Sequence, residues 1–354
     1  MKGISIKVKL IGGGLILVLL PLVISGFISV TKSSNALLFL GKTNAQNVAA
    51  DLARLSDNIL EEQLMVTRVF ASDQGLIDIA EKVKQTGLDG NALEVKSLYK
   101  SLTKKFNEMG ENYQGIFVTD SQGNLYTGAL EGGKEYKGVN IQDRAYYKKM
   151  KSENKAIVGD VVRSQATKKL IAVILAPIFS DSSQYLGSFG LVMKVEFLVE
   201  LISGRKIGNT GYGFMTDQDG VLLAHPNPDN ILSLNLAKLD GMKEFMQLML
   251  GGSAGVAEYT FQGVHKVAGY APLKNAKWFI GATQNADEFL ASSKSIRNLI
   301  LLVIVISVVI TAILVFFSAM AIVKPINDAV VGLKDIAEGE GDLTMRSQVA
   351  SKDE

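Results

Sequence analysis

The stretch Leu299–Ile322, LILLVIVISVVITAILVFFSAMAI, organises the rest of this chain. It is apolar almost throughout, and no charged residue lies between Arg297 and Lys324. At a rise of ~1.5 Å per residue, one helix of this length crosses a hydrocarbon layer of ~30 Å. We therefore predict a transmembrane helix over residues 299–322, with a large region before it and a short segment after it on the opposite side of the membrane.

A second apolar run lies near the N-terminus. Residues 1–9 are basic and residues 10–30 carry no charge. A basic leader before an apolar run is also typical of a cleaved signal peptide. This run is longer than a usual signal core and no clear small-x-small cleavage site follows it, so an uncleaved transmembrane helix is the favoured interpretation. Because basic residues stay on the cytoplasmic side, we predict an in–out–in topology that places residues 31–298 outside the inner (plasma) membrane, in the periplasm or extracellular space.

Composition excludes several functional classes. The chain has 354 residues, a net charge of +2 and no cysteine. A charge so close to zero gives no bulk electrostatic case for nucleic acid as a partner. The lack of cysteine removes disulfides, thiolate nucleophiles and Cys-based metal sites. No nucleophile–base pair, phosphate loop or paired-carboxylate signature is identifiable, so we predict a non-enzymatic chain without a cofactor.

The region after the first apolar run begins with helix. Apolar residues recur between Leu37 and Phe70 at spacings of mostly three, four or seven, which predicts a long amphipathic helix. A core-facing helix of any domain gives this pattern, whereas a helix lying partly against a second copy of the chain suits the early part, Leu37–Leu60. A turn over residues 87–90 and another helix over residues 93–109 follow.

From Tyr113 the pattern changes to strands. Residues 113–126 are predicted to form a strand, a polar turn with glycine and a second strand, which is a hairpin. Loop and a short helix are expected over residues 136–151. Further strands are expected over residues 155–162, 169–176 and 186–194. Together these segments predict an antiparallel sheet beside a helix.

The hairpin pattern returns later in the chain. Residues 213–223 match residues 116–126 in layout, with an apolar strand, Thr-Asp, a glycine turn and a second strand. Three more strands are expected over residues 255–261, 265–272 and 278–283. We therefore predict a structural repeat. One sheet unit, over about residues 110–194, is distal to the membrane, the other, over about residues 205–285, is proximal, and a helix over residues 195–202 joins them.

The most specific matches to a known family are three short segments: Asp143-Arg144-Ala145-Tyr146-Tyr147, Gly211-Tyr212-Gly213-Phe214 and Ala224-His225-Pro226. With the order of elements above, the chain resembles the double-Cache (dCache) sensor domains of bacterial chemoreceptors and sensor kinases over residues 33–293. The resemblance implies an α/β (α+β) extracytoplasmic sensor. Such a sensor has a long N-terminal helix and two Cache/PAS-like antiparallel-sheet units between two transmembrane helices.

An arginine beside two tyrosines marks the predicted ligand site. The Arg144 guanidinium can meet a carboxylate with two parallel hydrogen bonds, while Tyr146 and Tyr147 can form an apolar wall or stack on a cation. A surface arginine with two core tyrosines would have the same sequence. The resemblance to the dCache family implies that this position faces the distal pocket. The other residues expected at this pocket are Phe117, Tyr126, Asp143, Ser164 and Thr167.

The amino-acid-binding members of the family have a fuller motif. In that motif an aromatic residue lies five positions before the arginine, the arginine begins the segment Arg-x-Trp-Tyr, and a later Asp holds the amine of the ligand. Here Arg144 and Tyr147 match, Tyr146 replaces the Trp, Val139 stands at the aromatic position and Ser164 lies near that of the Asp. Because an ammonium group would lack its ion-pair partner, we predict a small carboxylate rather than an amino acid.

No metal site is predicted. Asp217 and Asp219 could suggest a calcium loop, but the residues that would complete an EF-hand are absent, so a role in the turn is favoured. His225, which precedes Pro226 at a strand end, is interpreted as structural. His265 is too isolated in sequence to suggest a partner.

The segment after the second apolar run resembles the start of a HAMP domain, over residues 323–354. Pro325 is tolerated in the first turn of a helix, and apolar residues between Ile326 and Ala337 form a heptad seam. Glu338 lies near the helix end and a Gly-Glu-Gly-Asp-Leu-Thr connector follows. A short amphipathic helix beside the membrane is the alternative. HAMP modules are four-helix bundles of two chains, so the resemblance implies a homodimer in which Pro325 and Glu338 relay the signal.

Two functions fit this organisation. The connector resembles that of methyl-accepting chemotaxis proteins. This likeness implies a chemoreceptor that passes a ligand signal through the second transmembrane helix and HAMP to the cytoplasmic chemotaxis kinase and adaptor. The alternative is the sensory input half of a sensor histidine kinase or nucleotide cyclase. An adhesion or structural ectodomain would not explain the start of a HAMP domain.

Overall fold

The computed structural model describes residues 6–164 and 167–337. The chain divides into two compact parts. We call Phe39–Glu288 the central part, and the other part consists of the helical segments before and after it. The α-helices are α1 Ile6–Ala71, α2 Gln74–Thr86, α3 Ala92–Glu108, α4 Ala145–Glu153, α5 Glu196–Ser203, α6 Lys243–Met249 and α7 Ala286–Ala337.

The strands belong to two antiparallel sheets. The first sheet has the order β2-β1-β5-β4-β3 and the second has the order β6-β7-β11-β10-β9, with β8 paired to β7. Strands of the first sheet are β1 Tyr113–Asp120, β2 Leu125–Leu130, β3 Ile157–Arg163, β4 Leu170–Phe179 and β5 Tyr185–Lys194. Strands of the second sheet are β6 Lys206–Ile207, β7 Gly211–Asp217, β8 Leu222–Ala224, β9 Gly255–Phe261, β10 Val264–Pro272 and β11 Trp278–Asn285. We call these sheets and the helices on them the first and second sheet units.

Helix α1 contributes one face to the central core. Ala45, Ala49, Leu52 and Leu60 are almost fully buried. The small alanines allow close approach, since a Cβ on Gly269 of β10 would overlap the carbonyl of Ala45. The expectation of a long helix with an apolar, core-facing side is confirmed.

Both faces of the first sheet are covered, and its central strands show why. The sequences of β4 and β5 are almost continuously apolar and nearly every residue is buried, as expected for strands that bury both faces. One face packs on α1, α2 and α3. The other face packs on α4 through a separate core that contains Phe117, Tyr147 and Met150. The second sheet is arranged alike, with α1 and α5 on one face and α6 on the other.

The predicted structural repeat is confirmed in detail. In the first sheet, Phe117 of β1 pairs with Gly190 of β5, and a Cβ on that glycine would overlap the Phe117 ring. In the second sheet, Phe214 of β7 has the same relation to Gly281 of β11. Both units therefore lay a phenylalanine ring flat over a glycine of the adjacent strand.

The hairpin turns repeat as well. The Oδ1 of Asp120 accepts hydrogen bonds from the backbone N–H groups of Gln122 and Asn124, at 2.8 and 2.9 Å. Asp217 accepts from Asp219 and Val221 at 2.9 and 2.8 Å. The turn role expected for Asp217 is therefore confirmed.

Some elements differ from the sequence-based expectation. Helix α6 and strand β6 were not predicted, because both are too short to show a clear hydrophobic period. Pro325 does not begin a separate helix, since α7 continues through it. A proline removes one helical hydrogen bond, and here the residues on both sides remain helical. Glu338 lies outside the described residues.

Two helices are long and apolar enough to cross a membrane. These are the helical segments Ile11–Ala71 and Ala286–Lys334. The most apolar 18-residue stretch of each is not buried by other parts of the described protein.

Candidate ligand-binding site

The candidate site lies on the face of the first sheet that α4 covers. The segment before α4 runs beside β2, because the N–H of Tyr136 donates to the Gly128 carbonyl at 2.9 Å and that of Leu125 donates to the Val139 carbonyl at 2.7 Å. The backbone pairing brings Tyr136 over the sheet. This segment and α4 thus cover the sheet face that carries Phe117.

Aromatic rings form the apolar part of this face. The rings of Phe117 and Tyr136 are in edge contact, with centroids 5.4 Å apart. Gly190 of β5 lies under the Phe117 ring and Gly128 of β2 lies against the Phe117 backbone, so a side chain at either position would overlap Phe117. Tyr146 packs at the margin of the same core. The structure therefore brings Phe117 and Tyr146 to one face, as the sequence predicted.

Arg144 occupies the N-cap position of α4. Its backbone is extended, with φ −71° and ψ 138°, and its N–H donates to the Ile141 carbonyl at 2.9 Å. The side chain is exposed, and within residues 6–164 and 167–337 no acidic or carbonyl group pairs with its guanidinium. Arg144 thus presents a positive charge that the described protein does not neutralise.

The positive charge of Arg144 influences the pKa values of two tyrosines on this face. Burial raises the pKa of Tyr136 and the nearby guanidinium of Arg144 partly offsets that rise. Burial likewise raises the pKa of Tyr146 to about 12, against the same opposing effect of Arg144. Both phenols are neutral at physiological pH and can donate hydrogen bonds. A cation with neutral donors next to it suits a small anion.

Tyr147 is placed differently from its neighbour. It is buried, and its hydroxyl donates to the carbonyl of Ser121 at 3.1 Å, while the Tyr185 hydroxyl lies 3.3 Å away. These contacts point the Tyr147 hydroxyl toward the β1–β2 turn. The Tyr147 hydroxyl therefore forms its hydrogen bonds within the protein and is not directed toward Arg144.

Tyr126 does not lie on the same sheet face as Phe117, with which it was predicted to line the ligand pocket. It packs in the core on the α1–α3 face, whereas Phe117 and Leu125 lie on the α4 face. Successive strand residues point to opposite faces, which separates Tyr126 from Leu125. Its hydroxyl is buried without a partner among the described residues and borders a cleft that includes Asp120. The expectation that Tyr126 lines the same pocket as Phe117 is wrong.

Ser164 and Thr167 form a cluster of their own with a residue that sequence reasoning missed. The side-chain amide of Gln114 donates to the Ser164 Oγ at 2.7 Å, and the Thr167 hydroxyl donates to the Gln114 Oε1 at 3.2 Å. Gln114 and Ser164 are buried. No sequence signal links these positions, because β1 and the end of β3 meet only in the folded chain.

Asp143 lies at the surface. Its carboxylate is 3.4 Å from the Lys148 Nζ, and both side chains are well exposed. Exposed ion pairs of this kind contribute little to stability. Asp143 therefore neutralises Lys148 rather than Arg144.

His265 has a partner that the sequence did not suggest. Its Nε2 lies 2.9 Å from the Oε2 of Glu258, which also pairs with Lys42. His265 has a partner because β9 and β10 pair in a hairpin that brings Glu258 within reach. Among the described residues, no group of three or more His, Asp or Glu side chains is arranged to hold a metal ion.

The sequence is similar to receptors of bacterial chemotaxis. A family model described as Cache domain (dCache_1) matches residues 29–293. The methyl-accepting chemotaxis protein McpA of Pseudomonas putida is 29% identical over 189 residues, which cover 52% of this chain and 28% of that protein. McpB of Bacillus subtilis is 25% identical over 362 residues, which cover 100% of this chain and 50% of that protein. The chain thus spans half or less of the length of these curated relatives, which are receptors rather than enzymes.

Solved structures share the fold. The extracellular domain of mmHK1S-Z2, a protein assigned as a histidine kinase, has a TM-score of 0.59 and 18% identity, and the match covers 71% of this chain and 100% of that chain. The ligand-binding domain of the Campylobacter jejuni chemoreceptor Tlp3, in complex with 4-methylisoleucine, has a TM-score of 0.57 and 13% identity, covering 72% and 94%.

Proposed function

Because this chain belongs to the Cache domain family, we propose that it is the sensory and membrane part of a bacterial chemoreceptor. In this proposal residues 10–30 and 299–322 cross the inner membrane, residues 31–298 lie outside it, and two copies form a homodimer. Residues 323–354 begin a HAMP domain that passes the signal to the cytoplasmic chemotaxis kinase and its adaptor. The two candidate membrane helices support this topology.

The ligand of the first sheet unit is a small carboxylate. The observation that carries this proposal is the unneutralised guanidinium of Arg144 beside the neutral phenols of Tyr136 and Tyr146. The carboxylates of the covering segment are already used. Asp143 lies 3.4 Å from the Lys148 Nζ, and Glu135 is paired with Lys137 at 2.6 Å and accepts from Thr127 at 3.0 Å. Ser164, near the position of the amine-binding Asp in the family motif, carries a hydroxyl that is bonded to Gln114 and provides no carboxylate for an amine. A carboxylate without an amine is therefore favoured over an amino acid.

A short covalent path leads from the second sheet to the membrane helix. Strand β11 ends at Asn285 and α7 begins at the next residue. In the first turn of α7, the Glu288 carboxylate accepts hydrogen bonds from the backbone N–H groups of Asn209 and Thr210 at 2.6 and 3.0 Å. It also accepts from the Thr210 hydroxyl at 2.6 Å. A change in the β6–β7 turn would therefore move the start of α7 directly.

A ligand can act through this connection only if its affinity differs between two conformations of the receptor.

The second candidate function is the input half of a sensor histidine kinase or nucleotide cyclase. The observation that favours it is the likeness in fold to the mmHK1S-Z2 extracellular domain. The two candidate functions share the sensor and differ in the output module of the whole protein. Long heptads without a catalytic motif there would support the chemoreceptor, and a His-bearing dimer helix followed by an ATP site would support the kinase.

Calorimetry on the full chain in lipid nanodiscs tests the ligand proposal. The panel contains small carboxylates, α-amino acids and amines, titrated into the parent protein, Arg144→Ala and Lys149→Ala. The lysine variant removes a positive charge from α4 and leaves the Asp143–Lys148 ion pair intact. We expect carboxylates to bind the parent and the lysine variant, and to bind Arg144→Ala about 10- to 100-fold more weakly, as for loss of a charge-assisted hydrogen bond. Binding of amino acids with inert carboxylates, or an unaffected Arg144→Ala variant, would contradict the proposal.

A further inference from the structure

The second sheet unit contains a cavity that nothing in the proposed receptor mechanism uses. It lies on the sheet face that α6 covers and has a volume of about 310 Å³. This volume is within the lower range of small-molecule sites. Its wall includes Tyr212, Phe214, His225, Asn230, Tyr259 and Phe261.

A lysine faces the same side of the sheet as this wall. Lys266 is on β10 directly opposite Tyr259 of β9, two residues from Ala268 of the core beside α6. Side chains at alternate strand positions share a face. The Lys266 Nζ lies 5.6 Å from the centroid of the Tyr212 ring.

The charge of Lys266 is unpaired within the described part of the chain. No carboxylate lies within 4.0 Å of its Nζ, whereas Lys42 on α1 and His265 on β10 share Glu258. The lysine is half-buried, and burial lowers its pKa. A partly desolvated ammonium group without a counterion attracts an anion more strongly than one in water.

His225 adds an oriented donor. The backbone N–H of Asn227 donates to the Nδ1 of His225 at 2.9 Å, and the side-chain amide of Asn230 lies 3.3 Å from the same atom. The Asn227 carbonyl also lies 3.2 Å from Nδ1, so the role of Nδ1 depends on the tautomer. When Nδ1 accepts from the Asn227 N–H, the hydrogen of the neutral ring is on Nε2, for which the described residues supply no acceptor. Burial lowers the pKa of His225, which keeps the ring neutral at physiological pH. The imidazole ring is in edge contact with Tyr212, with centroids 5.3 Å apart.

The remaining polar groups are mostly donors or are already used. The Tyr259 hydroxyl is bonded to the Thr283 Oγ1 at 2.8 Å. Tyr212 is neutral because burial raises its pKa, and its hydroxyl can donate. Phe214 and Phe261 form the apolar wall. Lys266 is not part of the cavity wall, but its Nζ lies over the ring of the wall residue Tyr212. A cavity with neutral donors, aromatic rings and a cation beside it suits an anion with a small apolar body.

We propose that this cavity is a second binding site, for a small monocarboxylate, in which Lys266 neutralises the carboxylate and His225 Nε2 and the Tyr212 hydroxyl donate hydrogen bonds to it. The site is independent of the one at Arg144. Binding there does not depend on the proposed receptor function, although its effect on signalling would. Strand β11 leads directly into α7, so the second site belongs to the sheet that immediately precedes the membrane helix in the sequence.

The test uses the full chain in nanodiscs with Arg144→Ala as the parent, so that loss of the first site cannot be mistaken for loss of the second. Acetate, propionate, butyrate, lactate and pyruvate are titrated by calorimetry, with propionamide and butyramide as uncharged analogues of the same shape. Lys266→Gln and Lys266→Arg are compared with Lys274→Gln, which removes an exposed lysine from the β10–β11 turn.

We expect at least one carboxylate to bind the parent and Lys274→Gln equally, and to bind Lys266→Gln more weakly by about 10-fold or more, with partial recovery in Lys266→Arg. The amides should bind weakly to all variants. His225→Phe, which keeps an aromatic ring and removes the Nε2 donor, should weaken carboxylate binding by a smaller factor. The thermal unfolding of each ligand-free variant shows whether it has folded.

Three results would overturn the inference. The first is that no carboxylate of the panel binds the Arg144→Ala parent. The second is that the amides bind as tightly as the acids. The third is that folded Lys266→Gln binds as tightly as Lys274→Gln. If carboxylates bind the wild-type chain but not Arg144→Ala, the first site stands and the second fails, so the two proposals are distinguishable.

Discussion

The two sheet units share a frame and differ in what covers it. Each frame has a phenylalanine ring lying on a glycine and an aspartate that closes the hairpin turn. In the first unit, the segment between hairpin and third strand forms α4, whose N-cap residue Arg144 supplies the positive charge. In the second unit the corresponding segment forms α6, and the positive charge comes from Lys266 on a strand. The frame depends on backbone pairing, whereas the covering segment is free to vary and determines the chemistry.

The largest expected effect tests whether the two frames are equivalent. Gly190→Ala and Gly281→Ala each force a Cβ into a phenylalanine ring, so we expect each to cost about 3 kcal/mol of unfolding free energy, at the upper end for overpacked cores. Thermal unfolding of the full chain measures the loss. Gly90→Ala, where a Cβ meets only ordinary contacts at 3.4 Å from Thr86, is the control. Clearly unequal losses for the two glycines would show that the frames are not equivalent.

A smaller effect is expected at the hairpin turns. Asp120→Ala and Asp217→Ala each remove a carboxylate that accepts two backbone N–H bonds, which should cost about 1–2 kcal/mol. Chemical denaturation of both variants measures the cost. Asp219→Ala, at a side chain that accepts no hydrogen bond from the described residues, should be close to neutral. If Asp217→Ala were also neutral, the turn would be held by its backbone alone.

A third prediction separates the two tyrosines beside Arg144. Tyr147→Phe loses the hydroxyl bond to the Ser121 carbonyl and should cost about 1 kcal/mol of stability without changing carboxylate affinity. Tyr146→Ala should instead weaken carboxylate binding. The two measurements are the melting temperature without ligand and the calorimetric Kd. Weaker binding in Tyr147→Phe would return Tyr147 to the ligand site, as the dCache resemblance implies.

The last expected effect concerns the start of α7, where water around the partly exposed Glu288 carboxylate screens much of its interaction energy. Burial raises the pKa of Glu288, but hydrogen bonds from the Thr210 side chain and the backbone of Asn209 outweigh that effect and lower the pKa to about 2 from the ordinary value of 4.5. The folded state therefore favours the ionised carboxyl. The resulting stabilisation is present above about pH 4.5 and is lost as the pH falls toward 2.

Melting temperatures of the parent and Glu288→Gln across this range measure that stabilisation. The difference between the two proteins should be largest at neutral pH and should shrink between pH 4.5 and 2. Asp287→Asn, at the neighbouring exposed position, is the control. A difference that does not change with pH would mean that the variant acts through packing rather than charge.

Periodicity predicted much of the fold. Alternating and apolar segments from Tyr113 onward identified the strands, and the recurrence of Thr-Asp before a glycine turn identified the repeat. These signals are local, because a strand or a turn depends on neighbours in sequence. The resemblance to the dCache family, which rested on short motifs such as Asp143–Tyr147, is confirmed by the family model over residues 29–293.

Pairings between distant residues could not be predicted in this way. The sequence suggested no partner for His265, which lies next to Glu258, and Ser164 was considered for the amine position of the ligand but is bonded to Gln114. Tyr126 was expected at the pocket, but it lies on the opposite face. The pairing of β1 with β2 is irregular next to Tyr126. Such a bulge changes the sheet face to which a side chain points, and a count of alternating residues in the sequence does not reveal it.

By itself, the sequence determined the apolar helices, the order of strands along the chain and the repeated turn, because each follows from the spacing of residues within one segment. Only the tertiary structure decided which charged groups are neutralised and which are not. Arg144 and Lys266 are two of many basic residues in the sequence. What distinguishes them is the set of side chains that folding brings close, and that set depends on contacts between segments far apart in the chain.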